Sequence, residues 1–190
     1  MNRLFITLLT VFLATSTVNC QEVKAVEAEG NLAVTDSLGC VSIDEVTTDH
    51  TPADIYAGIA KCIENEDYIN AAQLFAIAGV YGSFDTKRVK DRSAHQALSV
   101  LSRQVLSSLD DSQKEAFIKA LKEELEAGSN KLYALCDKIN DKGHPTYFPT
   151  YMIQHGMGAF TDDEEEPLKE DFDAEKAFQE SLNQYLHCDE

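Results

Sequence analysis

The fold is decided by residues 51–82, which read TPADIYAGIAKCIENEDYINAAQLFAIAGVYG. Thr51 is a helix N-cap, Pro52 stands at the first turn, and Asp54 follows the cap by three positions, a combination that begins a helix. Asp67 begins a second helix, which the glycines from Gly79 to Gly82 are expected to end. Apolar residues recur at helical spacing in both segments: Ile55, Ile59, Cys62, Ile63, Tyr68, Ala71, Ala72, Phe75 and Ala78. These 32 residues therefore predict two helices joined by a short turn.

The same period continues along the rest of the chain. It predicts a third helix over 86–107, a fourth that Asp110 or Asp111 caps and Gly128 stops, a fifth around 132–139, and a sixth over 174–186. No segment shows convincing strand alternation. Short helices with short connections indicate an antiparallel helical array. We expect an all-α domain of about six helices, carrying one long loop rich in aromatic residues and proline.

The first 39 residues differ in character from the body. Leu4 to Ala14 form an apolar run of eleven residues, too short for a permanent membrane helix of about 20 residues and typical of a signal-peptide core. Residues 1–19 are predicted to be a signal peptide and residues 20–39 a flexible tether, because the latter lack any helical or strand period. Residues 40–190 are then one helical domain in an exported protein.

The end of the leader has two interpretations. Ala14-Thr15-Ser16 is a small-x-small site for ordinary cleavage. Thr17-Val18-Asn19-Cys20 loosely resembles a bacterial lipoprotein box, although the box would have Leu at Thr17 and a small residue at Asn19. That resemblance implies lipidation of Cys20 and attachment to a bacterial outer membrane. Without Cys20 the cysteine count is even, which favours it.

The four other cysteines are expected to form disulfides in an oxidising compartment. Three pairings of Cys40, Cys62, Cys136 and Cys188 are possible, and we favour Cys40–Cys62 with Cys136–Cys188, since each pair can join neighbouring elements. Free buried thiols are the alternative. No two cysteines have the short spacing of zinc ligands.

Net charge limits the class of partner. Removing Arg3 with the leader leaves 15 basic and 33 acidic residues, a net charge of −18. Such a chain is unsuited to nucleic acid or anionic lipid, so membrane contact is expected only through a lipid at the N-terminus. A basic protein partner is compatible with it.

One local pattern resembles a known repeat. Tyr68-x-x-Ala71-x-x-x-Phe75-x-x-Ala78 resembles the second half of a tetratricopeptide or Sel1-like repeat, in which small residues let two helices approach and the aromatic residue fills the gap. The first half matches poorly, since Cys62 replaces a tyrosine, and no second copy is found. The resemblance covers residues 52–81 and implies a helical hairpin.

Two constellations are candidates for partner binding. Arg88, Asp91, Arg92 and His95 have the spacing of one helix face, where a basic cluster could grip an anion or an acidic side chain; a solvated face with local ion pairs is the alternative. The loop 143–160 contains Tyr147, Phe148 and Tyr151, and aromatic residues in a loop either pack down or bind something. The predicted partner-binding residues are Arg88, Arg92, His95, Tyr147, Phe148 and Tyr151.

The same loop suggests one chemical alternative. His144, Met152, His155 and Met157 are ligand types that suit a soft metal such as copper. An acidic stretch further on, Asp171-x-Asp173-x-Glu175, lacks the glycine and the final Glu of a calcium loop. We therefore predict no metal, no cofactor and no catalytic residue.

These observations favour an exported or periplasmic helical protein-binding or adaptor module. One form of that hypothesis is a periplasmic immunity protein that blocks a toxin delivered into the envelope. The alternative from another class is a metal-binding protein or enzyme centred on the histidines of the loop 143–160. The sequence does not identify the partner.

Overall fold

The computed structural model describes residues 27–161 and 166–188, and the predicted leader and Cys20 lie outside them. The described chain is all-α, as predicted, and contains no strand; its one isolated bridge joins Val89 to Leu168. Three short 3₁₀ helices lie at Ile43–Glu45, Ala94–Gln96 and Met157–Phe160. The α-helices are α1 (Pro52–Glu64), α2 (Tyr68–Arg88), α3 (Ala97–Ser108), α4 (Asp111–Glu124), α5 (Asn130–Lys142), α6 (Thr150–Ile153) and α7 (Ala174–Leu186).

Side-chain caps set the beginnings of the longer helices. Thr51 Oγ1 accepts from the backbone N–H of Asp54, and Asp54 accepts from the N–H of Thr51, which completes the capping box expected for α1. Asp110, rather than Asp111, caps α4 by accepting from the N–H of Gln113. Ser129 and Asp173 cap α5 and α7 in the same way.

Helix α2 is the central element, and α1, α4 and α7 pack around it. The expected end near Gly79–Gly82 is wrong, because α2 continues to Arg88. Both glycines are buried inside the helix, where they make room for neighbours. A Cβ on Gly79 would overlap the ring of Tyr185 on α7, and one on Gly82 would overlap the side chain of Leu98 on α3.

The described part of the expected tether is a packed strap, so that expectation is wrong for residues 27–39. Leu38 is buried, and the N–H of Leu32 donates to the carbonyl of Tyr151. The carboxylate of Asp54, fully buried, accepts from the N–H groups of Thr35 (2.6 Å) and Asp36 (2.8 Å). The folded unit therefore includes the strap from Gly30 onward, and the strap runs beside the loop 143–160.

Two disulfides hold the ends of the body to its interior. Cys40 pairs with Cys62 of α1, and Cys136 of α5 pairs with Cys188, which follows α7. These are the predicted pairings. They are compatible with an oxidising compartment outside the cytosol. Within residues 27–161 and 166–188 there is no helix long and apolar enough to cross a membrane.

Candidate functional site

Two segments distant in sequence form one surface: the turn 89–93, which follows α2, and the loop 143–160. Ser93 Oγ accepts from the N–H of Met157 (2.8 Å), and Asp91 Oδ2 accepts from the N–H of Gly158 (2.9 Å). Asp91 Oδ1 accepts from the N–H and the hydroxyl of Ser93. Partial burial raises the pKa of Asp91, but these hydrogen bonds outweigh it and hold the pKa below its ordinary value. Asp91 is therefore an ionised clamp on the loop.

A buried polar network beneath this surface fastens the loop to α2. Asp85 is fully buried, and its Oδ1 accepts from Nε (2.8 Å) and Nη2 (2.7 Å) of Arg88. Its Oδ2 accepts from the hydroxyls of Tyr147 (2.9 Å) and Tyr151 (2.7 Å). Arg88 also donates to the carbonyl of Tyr147 (2.9 Å). Both carboxylate oxygens and both tyrosine hydroxyls are thus satisfied without water.

The electrostatics of the network keep the tyrosines protonated. Burial raises the pKa of Tyr147 and of Tyr151 well above the ordinary value, and the neighbouring Asp85 carboxylate raises both further. Burial also raises the pKa of Asp85, while Arg88 and the two hydroxyls lower it. The two tyrosines therefore stay protonated and donate their hydroxyl protons to Asp85.

This geometry corrects part of the predicted binding surface. Helix α2 ends at Arg88, so there is no common helix face for Arg88, Asp91, Arg92 and His95. After α2 the N–H of Lys90 donates to the carbonyl of Pro167, and the carbonyl of Arg88 accepts from the N–H of Lys169. Arg88 is 9% exposed and Tyr151 2% exposed, so neither side chain is available to a partner in this conformation.

The other predicted binding residues differ in accessibility. Tyr147 is half-buried, with its hydroxyl in the network, and His95 is half-buried, with Nε2 lying 3.1 Å from the carbonyl of Val89. Arg92 is exposed, and 57% of Phe148 is exposed. Of the six predicted residues, Arg92 and Phe148 remain open to a partner.

The histidines and methionines of the loop do not converge. His144 stacks on Phe84 with ring centroids 5.7 Å apart, and His155 Nδ1 lies 2.9 Å from Oδ1 of Asn31. Met152 is fully buried, whereas Met157 is exposed. Among the described residues, no group of three or more His, Cys, Asp or Glu side chains is placed to hold a metal ion. The structure thus gives no geometric support to the copper hypothesis.

The loop instead presents large apolar side chains to solvent. Phe148, Met157 and Phe160 are 57%, 68% and 50% exposed; we call these three residues the loop face. Met157 and Phe160 are three residues apart on a 3₁₀ helix, a spacing that places them on the same side. Beside them opens a cleft of about 450 Å³, lined by Val89, Lys90, Asp91, Ile153, Gln154, Gly158, Ala159, Thr161, Glu166 and Pro167.

Sequence reasoning missed the residue that organises this site. Asp85 follows Phe84 on the buried side of α2, and a carboxylate within an apolar stripe is a signal of an internal partner. Met157 and Phe160 were expected to belong to a packed or binding loop, and their exposure depends on the fold. No protein-family model, curated protein or solved structure matches the chain.

Proposed function

We propose that the protein is an exported protein-binding module whose partner covers the loop face. The observation that carries the proposal is that Phe148, Met157 and Phe160 remain exposed on a loop held rigidly in place. Contiguous exposed apolar side chains mark interaction sites on soluble proteins, and Met157 and Phe160 lie on the same side of one 3₁₀ helix. The hydrogen bonds of Asp91 and Asp85 fix the loop before any partner arrives, which reduces the entropy lost on binding.

The proposed location refines the oxidising compartment that the disulfides indicate. The leader predicted over residues 1–19 supports export, and a lipid on Cys20 would hold the protein at a bacterial envelope. The strap brings the chain into the body beside α6, where the space around Gly30 is bounded by Thr150 Cγ2 and Gln154 Cγ. The loop region therefore lies on the side of the body at which the described chain begins.

A capture experiment with a matched control tests the proposal. The purified mature protein is immobilised and exposed to an extract of its native compartment, and the captured protein is identified and purified. Its affinity is then measured for wild type, for a loop-face variant and for a control variant. We expect wild type to bind it, and the double variant Met157→Ser/Phe160→Ser to bind at least about tenfold more weakly because the buried apolar contact is lost. Ile69→Ser, which changes another exposed apolar residue, is expected to bind normally.

Two results contradict the proposal. A wild-type protein that captures no partner and remains a monomer would argue against a binding module. Equal affinities of wild type and of the Met157→Ser/Phe160→Ser variant for the purified partner would show that the loop face is not the contact surface.

A further inference from the structure

Most of the described lysine and arginine side chains of this acidic protein bond to other residues of the chain, and those without a partner lie in two regions. Nine of the lysine and arginine side chains within residues 27–161 and 166–188 form an ion pair or hydrogen bond. Five have no partner among the described residues. Two of these, Lys90 and Arg92, flank the turn beside the loop face; the other three are on α3 and α4: Arg103, Lys114 and Lys122.

Carboxylates are absent from the two chain segments that meet at this surface. The chain has 33 acidic residues in 190, yet residues 92–109 and residues 142–161 contain none. These segments contact each other through Ser93 and Met157, and α6 packs against α3. Asp91 lies between Lys90 and Arg92 and keeps its charge, with its oxygens turned to Ser93 and Gly158. Among the described residues, the fold thus brings together two segments that have no carboxylates of their own, on a protein of net charge −17.

Helix α3 borders two grooves, one towards Lys114 of α4 and one towards α1 and the strap. Its buried residues are Ala97, Leu101 and Val105. A groove of about 410 Å³ beside it has no carboxylate in its lining, which consists of Ser99, Ser102, Arg103, Leu106, Ser107 and Lys114. A second groove has an uncharged lining that includes Leu32, Val34, Tyr56, Leu101 and Val105.

We infer that the partner of the proposed binding module is an acidic protein segment, which lies along the outer side of α3 with its carboxylates on Arg92, Arg103 and Lys114 and its apolar side chains on the loop face. The inference rests on the proposed function and names the chemistry of its partner. Charge complementarity selects the partner's orientation, since carboxylates placed elsewhere on the protein meet a chain of net charge −17. Because Glu166 lines the edge of the cleft and repels other carboxylates, the acidic residues of the partner are expected on the α3 side.

The spacing of the cations favours a polypeptide over a single anion. At 1.5 Å per residue, Arg103 lies about 9 Å along α3 from its start at Ala97, whereas Arg92 lies in the turn before it, and the groove that Arg103 and Lys114 line does not include Arg92. The apolar side chains of the loop face and the uncharged groove also call for apolar groups in the ligand. A peptide that alternates carboxylates with large apolar residues supplies both.

The test selects binders from a displayed library of random peptides, with the complete mature protein as target. We expect the enriched peptides to be rich in Asp and Glu together with large apolar residues. Their affinity is then measured on the charge-reversed variant Arg92→Glu/Arg103→Glu/Lys114→Glu, where we expect binding at least about tenfold weaker. The matched control, Lys61→Glu/Lys138→Glu/Lys176→Glu, changes the net charge equally on three exposed lysines elsewhere and is expected to bind normally.

The outcomes separate this inference from the proposed function. Neutral or basic consensus peptides, equal weakening by both triple variants, or the absence of any selected binder would overturn the acidic partner. A natural partner that is lost from Met157→Ser/Phe160→Ser but kept by Arg92→Glu/Arg103→Glu/Lys114→Glu would preserve the binding module and reject its acidic partner. Circular dichroism and thermal unfolding establish that each variant is folded before its affinity is compared.

Discussion

At the scale of the residue, the informative group is the carboxylate of Asp85. A buried ion is costly unless its charge and all its lone pairs are met, and here Arg88, Tyr147 and Tyr151 meet them. Replacing such a pair by apolar residues is often less harmful than removing one partner. The pair is therefore best understood as a positional device that ties the loop 143–160 to α2.

This interpretation predicts a strongly non-additive mutational cycle. Asp85→Ala is expected to lower the free energy of unfolding by about 3–5 kcal/mol, because it leaves the guanidinium of Arg88 buried without its counter-ion. The double variant Asp85→Leu/Arg88→Met is expected to be less destabilised than the sum of its single variants. Urea unfolding with the disulfides intact measures all four proteins.

Amide hydrogen exchange in the loop 143–160 gives a second measurement on the same Asp85 and Arg88 variants. In Asp85→Leu/Arg88→Met, the hydroxyls of Tyr147 and Tyr151 lose their acceptor, so amide hydrogen exchange in the loop 143–160 is expected to accelerate relative to exchange in α4. Additive energies with unchanged exchange in the loop would show that the network does not fasten it.

At the scale of the element, α2 depends on glycines that a helix would ordinarily avoid. Gly79 and Gly82 cost the helix about 1 kcal/mol each relative to alanine. In return, Tyr185 of α7 and Leu98 of α3 approach the α2 backbone closely. The close packing around α2 thus depends on the small size of Gly79 and Gly82 as much as on the apolar side chains of the helix.

Gly79→Ala is therefore expected to destabilise the protein in spite of its better helix propensity. Its Cβ would overlap the ring of Tyr185 and force α7 outward, at a net cost of about 1–3 kcal/mol in the free energy of unfolding. In a Tyr185→Ala background the overlap disappears, and the same substitution is expected to be neutral or stabilising. Chemical denaturation of the four proteins of this cycle gives the comparison; a Gly79→Ala protein as stable as wild type would refute the packing argument.

Sequence patterns predicted those features of the helices that interactions between residues close in sequence determine. The cap of α1 at Thr51, the apolar stripes and the all-α class all follow from short-range signals. The end of α2 could not be predicted from short-range signals. In the sequence, a glycine that ends a helix cannot be distinguished from one that makes room for Tyr185. The strap was missed for the corresponding reason: its anchors, Asp54 and the carbonyl of Tyr151, lie far along the chain.

The candidate site was predicted in part. The loop 143–160 was identified from its aromatic content, and Phe148 and Arg92 are exposed as a binding role requires. Which aromatic residues face inward was not predicted, since that depends on Asp85, whose place within the apolar stripe of α2 indicates an internal partner but not which residues supply it. The meeting of two acid-free segments is likewise a property of the tertiary fold.

At the scale of the whole molecule, the two disulfides should contribute unequally to stability. Cys136–Cys188 closes a sequence separation of 52 residues, and Cys40–Cys62 one of 22. The chain-entropy model then makes the longer loop worth about 0.8 kcal/mol more. We expect Cys136→Ala/Cys188→Ala to lose more free energy of unfolding than Cys40→Ala/Cys62→Ala, by urea titration. The reverse order would mean that native contacts of the strap, rather than chain entropy, dominate.

Buried tyrosines throughout the body predict alkaline unfolding. Burial raises the pKa of five tyrosines above the ordinary value: Tyr56, Tyr81, Tyr147, Tyr151 and Tyr185. Above about pH 10 the unfolded chain releases these phenolic protons while the folded protein keeps them. Stability is therefore fully present below pH 10 and falls as the pH rises, by up to about 1.4 kcal/mol per pH unit for each tyrosine.

Tyr151→Phe isolates one of these protons. The variant is expected to be less stable near pH 8, since it loses the hydrogen bond to Asp85, and to lose stability less steeply above pH 10, by one proton in the linkage slope. Free energies of unfolding from urea titrations between about pH 8 and pH 11, with tyrosinate absorbance of the folded protein, give both quantities. Parallel curves for Tyr151→Phe and wild type would mean that this phenol ionises as readily in the folded protein as in the unfolded chain. The network of Asp85 would then be open to solvent, and the rigid support assigned to the loop face would be lost with it.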